Sequence, residues 1–201
     1  MDIDKLLEQI PDKQGASKDT TSRLWKKDVY NFFKDKNIEN VLEIGTNQGW
    51  TALLFSHISK EVYTVELRPE VISLAKKHCE GITNINFIEG DAYSDYTYVK
   101  TPKYFDVVII DCIHTYEAVI ADINRALSYI NPDKVIYLVF DDYSHPHPTA
   151  IGVHDAIEDS IKEGLKLEAY IGQGEGFEVF RPDGSSFKLL GPEGIILSYG
   201  I

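Results

Sequence analysis

Apolar residues along this chain recur with two alternating periods, and the alternation sets the first reading of the fold. Residues 4–10 have the spacing of a short amphipathic helix, and a polar segment, residues 11–21, follows. From Ser22 to Lys36, Leu24, Trp25, Val29, Phe32 and Phe33 fall at near-helical spacing, which predicts a helix that packs on one face and turns its lysines to water. At Asn40 the period changes. VLEIG is a short apolar run closed by glycine, TALLFSHI is helical in character, and EVYTVEL returns to strand. PEVISLAKKHCE then reads as a helix opened by proline, and NINFIEGDA as a strand. In FDVVIIDCI the uninterrupted stretch Val107 to Ile110 predicts a strand covered on both faces. TYEAVIADINRALSYI follows as a helix stopped at Asn131-Pro132, and KVIYLVFDDY is another apolar strand. GVHDAIEDSIKEG is a last helix, ending near Gly164.

Strands alternating with helices of this length imply βαβ units, a parallel sheet and right-handed crossovers. The expected fold class is α/β: a doubly wound, mostly parallel seven-stranded sheet, Rossmann-like, with an antiparallel C-terminal hairpin. LKLEAYIG and GFEVFRP, on either side of QGEG, are the segments expected to form that hairpin at the sheet edge. The tail KLLGPEGIILSYGI is expected to add a further strand or a partner contact. One domain accommodates all 201 residues, with 43% hydrophobic content for its core. Residues 1–36 would form a helical cap and lid segment, and residues 37–201 the ligand-binding body.

Charge narrows the function. Twenty Lys+Arg against 32 Asp+Glu leave a formal charge of -12, which argues against nucleic acid as substrate. Cys79 and Cys112 have no metal-type spacing and suit a reducing compartment. The acidic N-terminus and the lack of eighteen consecutive apolar residues point to a soluble, cytoplasmic chain with no membrane partner. A homo-oligomer is left open.

Ligands of open parallel sheets bind beyond the carboxyl ends of the strands, so the polar residues that close each apolar run are the ones to collect. The first run ends at Glu43-Ile44-Gly45-Thr46-Asn47-Gln48-Gly49, the second at Glu66, the third at Asp91-Ala92, the fourth at Asp111 and the fifth at Asp141-Asp142. Every one of these ends is acidic. Gly45 permits a tight turn, and Glu66, 21 residues on, is placed to accept ribose hydroxyls. The loop is GxxxG, however, and Glu43 within it would oppose a pyrophosphate. S-adenosylmethionine carries an ammonium and a sulfonium and no phosphate, so acidic strand ends attract it.

VLEIGTNQGW resembles the glycine-rich motif of class I S-adenosylmethionine-dependent methyltransferases, VYTVEL their acidic second-strand motif, and INFIEGDA their adenine segment. IIDCIHTYEAVIADI, VFDDY and GVHDAI are similar to the small-molecule branch that includes macrocin O-methyltransferase-like enzymes, and more distantly to catechol O-methyltransferase. The likeness spans residues 40–157. It departs at Asp-Cys-Ile-His, where that branch usually reads Asp-Gly-Asp-His, at the loop carrying His114. The resemblance implies that Glu43 and Gly45 to Gly49, with Thr46 and Asn47, hold the methionine end. It further implies Glu66 at the ribose, Asp91 and Ala92 at the adenine, and Asp111 beside the sulfonium. The plainer reading of the same residues is that the glycines only make turns and the acids cap helices or stay solvated.

Asp111, Asp141 and Asp142 are expected to converge, and three adjacent carboxylates call for a proton or a divalent ion. The resembling branch uses such acids to hold a metal, so Mg2+ is an expected cofactor, orienting two acceptor oxygens and acidifying the attacking hydroxyl. The alternative is that Asp142 caps a helix and Asp141 faces solvent. His114, three residues after Asp111, is the candidate general base, against a plain role as a helix-start residue bonded to Glu117 or to backbone. His145, His147 and His154 together suggest zinc, but a His-Pro-His-Pro loop is rigid and extended and its two imidazoles need not face one ion, which argues against it. Trp50, Tyr116 and Tyr143 are candidates to line the acceptor pocket, and residues 13–21 for a lid. The expected activity is methyl transfer to a small-molecule acceptor, by an O-methyltransferase assisted by a divalent metal. The competing readings are a non-catalytic S-adenosylmethionine-binding relative, a nicotinamide oxidoreductase, and a lyase- or hydroxylase-like enzyme on the same scaffold.

Overall fold

The computed structural model describes residues 3–11, 20–144, 151–173, 177–180, 186–189 and 191–200. Two helices come first, α1 (Ile3–Gln9) and α2 (Arg23–Phe33). The βα alternation follows as β1 (Ile38–Ile44), α3 (Trp50–Ser56), β2 (Ser59–Glu66), α4 (Pro69–His78), β3 (Ile85–Glu89), a 3-10 turn (Asp95–Tyr98), β4 (Val107–Ile110), α5 (Tyr116–Ser128) and β5 (Ile136–Phe140). The chain closes with α6 (Ile151–Lys162), β6 (Lys166–Ile171), β7 (Phe177–Phe180), β8 (Ser186–Leu189) and β9 (Gly194–Tyr199). The main sheet has seven strands in the order β3-β2-β1-β4-β5-β9-β6, parallel from β3 to β5 and antiparallel through β9 and β6. This is the expected α/β class.

The apolar strands are covered on both faces because each supplies two cores. Leu42, Ile44, Val108, Ile110, Leu138 and Phe140 meet Val119, Ile123 and Ala126 of α5 and Val153, Ala156 and Ile157 of α6. The alternate residues Val41, Val107, Ile109 and Val139 meet Trp25, Val29 and Phe33 of α2 and Leu54 and Phe55 of α3. Ser22 caps α2 by accepting from the Trp25 N–H at 3.0 Å, and the Trp25 indole donates to the Phe140 carbonyl at 3.4 Å. Helix α2 is thus keyed to the end of β5.

Two expectations change here. LKLEAYIG does not pair with GFEVFRP: β6 pairs with β9, and β7 pairs with β8 in a separate two-stranded sheet. The reason is burial, since Gly194 to Ser198 are all buried and such a run is most stable between two partners. Nor do all the lysines of α2 face water. Lys26 is 0% exposed. Residues 12–19, most of the expected lid, and the His145 and His147 loop lie outside the described residues. Among the described residues no helix is long and apolar enough to cross a membrane.

Candidate functional site at the carboxyl end of the sheet

The chain leaves β1 into α3 on one face of the sheet and leaves β4 into α5 on the other, so a cleft opens above these neighbouring strand ends. Gly45 sets its floor. Its φ is +101°, and a Cβ there would stand 2.0 Å from the Asp111 carbonyl oxygen. Only a glycine lets the two strand ends come this close. Asn47, at φ 42°, and Gly49, at φ 79°, continue the left-handed turn into α3.

Glu43 lies at the foot of the cleft, 2% exposed. The Thr64 hydroxyl donates to it at 2.5 Å, and Thr64 Oγ1 is 2.6 Å from Thr46 Oγ1. Burial pushes its carboxyl up to about 8, the Thr64 hydrogen bond and the Lys26 charge opposing the rise and nearby Asp111 adding to it. A positive charge bound beside this group would favour its ionised form, the proton leaving to solvent. Glu66 is also buried, with Oε2 accepting from the Asn47 N–H at 3.3 Å and Oε1 from the Arg68 N–H and Nε at 3.1 Å each. These bonds fix its carboxylate at the end of β2.

A small recess joins Glu43, Thr46, Asn47 and Asp111 with Thr20 and Thr21 from the N-terminal segment, and Gly45 and Gly49 line it too. Asp91 and Ala92 follow β3. Asp91 Oδ1 accepts from the Tyr93 N–H at 2.9 Å, closing its own turn, while Ala92 is buried and its carbonyl accepts from the Tyr98 hydroxyl at 2.9 Å.

His114 stands between two carboxylates, with Nε2 3.5 Å from Asp111 Oδ1 and Nδ1 3.5 Å from Asp142 Oδ2. Thr115, one residue on, caps α5 by accepting from the Ala118 N–H at 3.3 Å. Asp142 has φ 56°, unusual for a residue with a side chain, and Asp141 is buried beside it. The candidate pocket aromatics are partly committed elsewhere: the Tyr116 hydroxyl donates to Asp159 at 3.2 Å and the Tyr143 hydroxyl to Glu158 at 2.6 Å, both on α6. Trp50 stacks on His78 with ring centroids 4.1 Å apart and borders the recess.

The sequence reading placed Thr20 and Thr21 only within the candidate lid, and it passed over Lys26 and Asp122 as site residues. Asp122 is fully buried on α5, burial pushes its carboxyl up to about 7, and the Tyr93 hydroxyl donates to Oδ2 at 3.5 Å. A signal existed for it: Asp122 falls on the stripe of Val119, Ile123 and Ala126, where a carboxylate is out of place.

The family model for the methyltransferase domain matches residues 42–143, just over half of the chain. The chain belongs to the methyltransferase domain family. The span matched to this methyltransferase domain holds every candidate from Glu43 to Asp142, whereas Thr20, Thr21 and Lys26 precede it. In sequence the domain is similar to protein-L-isoaspartate O-methyltransferase of Pyrococcus abyssi, 42% identical over 74 residues, 35% of this chain and 33% of that one. The chain therefore spans about a third of the length of the curated relatives it matches. In fold it is similar to an O-methyltransferase from Bacillus cereus in complex with SAH, at TM-score 0.66 and 17% identity, covering 98% of this chain and 89% of that one. It is similar again to TomG, an O-methyltransferase from Streptomyces achromogenes in complex with SAM, at TM-score 0.65 and 16% identity over 98% and 88%.

Proposed function

We propose that this protein transfers a methyl group from S-adenosylmethionine to an oxygen of a small-molecule acceptor. One observation carries the reading: the contact of Gly45 with Asp111 brings Asp111 and the buried Glu43, an acid that a bound ammonium would ionise, to one recess, where a cationic amino acid is stabilised and a pyrophosphate is not. The SAH and SAM complexes of structurally similar enzymes support the same cofactor. Glu43 and the Gly45 to Gly49 loop, with Thr46 and Asn47, then take the methionine end, Glu66 the ribose, Asp91 and Ala92 the adenine, and Asp111 the side of the sulfonium.

Methyl transfer is an in-line displacement. The acceptor oxygen forms a bond to the methyl carbon as the carbon–sulfur bond breaks, and sulfur keeps the electron pair as a neutral thioether. Alignment supplies most of the acceleration, and removal of the hydroxyl proton contributes about 10²–10⁴-fold. His114 is the base in this reading, its imidazole oriented by Asp111 and Asp142. The expected Mg2+ fits these side chains poorly. The imidazole occupies the space between Asp111 and Asp142, two of the three carboxylates expected as its ligands, and among the described residues no three such side chains are grouped to hold a metal ion. No step here passes through a metal.

The acidic charge, with the buried Cys79 and exposed Cys112 both free thiols, supports a cytoplasmic enzyme with a small acceptor rather than nucleic acid. Calorimetry tests the cofactor: S-adenosylhomocysteine is expected to bind and NAD not to. Binding of NAD with none of S-adenosylhomocysteine would end this reading.

A further inference from the structure

α2 carries a lysine on the stripe that packs against the sheet. Lys26 lies with Trp25, Val29 and Phe33 on the buried side of the helix and is 0% exposed. Moving an ammonium out of water costs several kcal/mol unless oxygens replace its hydration. They do so here, where Nζ donates to Thr20 Oγ1 at 2.9 Å and to the Thr21 carbonyl and Thr21 Oγ1 at 2.5 Å each. The same charge acts on Glu43.

Thr20 and Thr21 are also walls of the recess that holds Glu43 and Asp111. A hydroxyl oxygen that accepts from an ammonium must turn its own hydrogen elsewhere. Both threonines are therefore set as donors, backed by positive charge, on one side of a recess whose other side is carboxylate. That polarity is complementary to a zwitterion, with donors for a carboxylate and acids for an ammonium.

We propose that Lys26 is a positioning residue that makes the recess selective for the α-carboxylate of the cofactor, by holding the Thr20 and Thr21 hydroxyls as donors toward it without touching the cofactor. The inference rests on the reading of this recess as the methionine end. Nothing in the family match assigns it, because all three residues precede the matched span.

The test compares two ligands by calorimetry: S-adenosylhomocysteine, and its decarboxylated analogue S-adenosyl-3-thiopropylamine, which keeps the amine and lacks only the carboxylate. Lys26→Met, with a native circular dichroism spectrum, is expected to weaken S-adenosylhomocysteine at least tenfold and the analogue less than twofold. Lys26→Arg should restore most of the difference. Equal weakening of both ligands, or weakening of neither, overturns the proposal. Should Lys26→Met fail to fold, Thr20→Val removes one relayed donor and is expected to cost S-adenosylhomocysteine at least threefold more than the analogue; an equal effect on the two overturns it as well. If the wild-type protein binds no S-adenosylhomocysteine, the cofactor reading falls and this inference with it, whereas normal wild-type binding with an unselective Lys26→Met removes this inference alone.

Discussion

Glu39 and Glu43 lie on the same strand, four residues apart, at opposite ends of the sheet, and their surroundings treat them in opposite ways. At the amino end Lys60 lies 2.9 Å from Glu39 and holds its carboxyl below the usual range, with Lys134 adding to the effect. Asp106 beside it accepts from the Glu39 and Asn40 N–H groups at 2.8 and 3.1 Å. At the carboxyl end burial outweighs every favourable contact of Glu43 and raises its carboxyl to about 8. The amino-end cleft is the larger of the two. Cleft size therefore does not mark the site; a buried acid that ionises fully only when a ligand supplies positive charge does.

The contrast breaks most completely if the carboxyl-end recess is closed. Gly45→Val places side-chain atoms on the Asp111 carbonyl and a β-branched residue at φ +101°. S-adenosylhomocysteine is expected to bind more than about 100-fold more weakly, ~2.7 kcal/mol by calorimetry. Affinity within threefold of wild type would show that the strand-end contact does not shape the recess.

Next in size is the base. His114→Ala removes the imidazole between Asp111 and Asp142, and with an acceptor found by screening kcat is expected to fall about 10²–10³-fold. S-adenosylhomocysteine affinity should stay within threefold, which separates chemistry from binding. Turnover unchanged by chelator is the companion result; loss of turnover in chelator, restored by Mg2+, would restore the metal reading.

Glu43 sharpens the comparison by pH. Its folded carboxyl is raised from 4.5 to about 8, so the folded protein keeps a proton that the unfolded chain has lost across that window. Its contribution to stability accordingly declines as pH rises from about 4.5 to 8, and Glu43→Gln should flatten that part of the curve. A cationic ligand favours the ionised form, so affinity for S-adenosylhomocysteine is expected to rise about fivefold from pH 7 to 8 with proton release. A pH-independent affinity in wild type would remove Glu43 from the ligand's surroundings.

The carboxyl-end half of this contrast was legible in the sequence, and the amino-end half was not. The carboxyl-end acids were legible because each interrupts an apolar run, and the parallel order because Val107 to Ile110 needs cover on both faces. The partner of β6 was not legible: the five-residue run at Gly194 to Ser198 has a central strand's burial, but no local turn ties Phe140 to Ile195 or Ile171 to Gly194. Lys26 and Asp122 were missed for a different reason. The lysines of α2 were taken as facing water and Asp122 was not weighed, yet both stand on their helix's apolar stripe, where buried oxygens or donors must meet them.

The smallest expected effect lies at the amino end. Lys134 Nζ is 3.3 Å from Asp106 Oδ1 and 3.9 Å from Glu39 Oε2, with its side chain 44% exposed. Water and salt screen such pairs, and ordering the lysine costs entropy that offsets the attraction. Lys134→Ala is expected to move the melting temperature by about 2 °C or less, with less change still in high salt, and to leave S-adenosylhomocysteine affinity as it was. Asp106 keeps its two backbone donors in that variant, so the start of β1 retains its anchor. A weakened ligand affinity would mean that the two ends of β1 are coupled through the strand, and Glu39 and Glu43 could no longer be treated as independent sites.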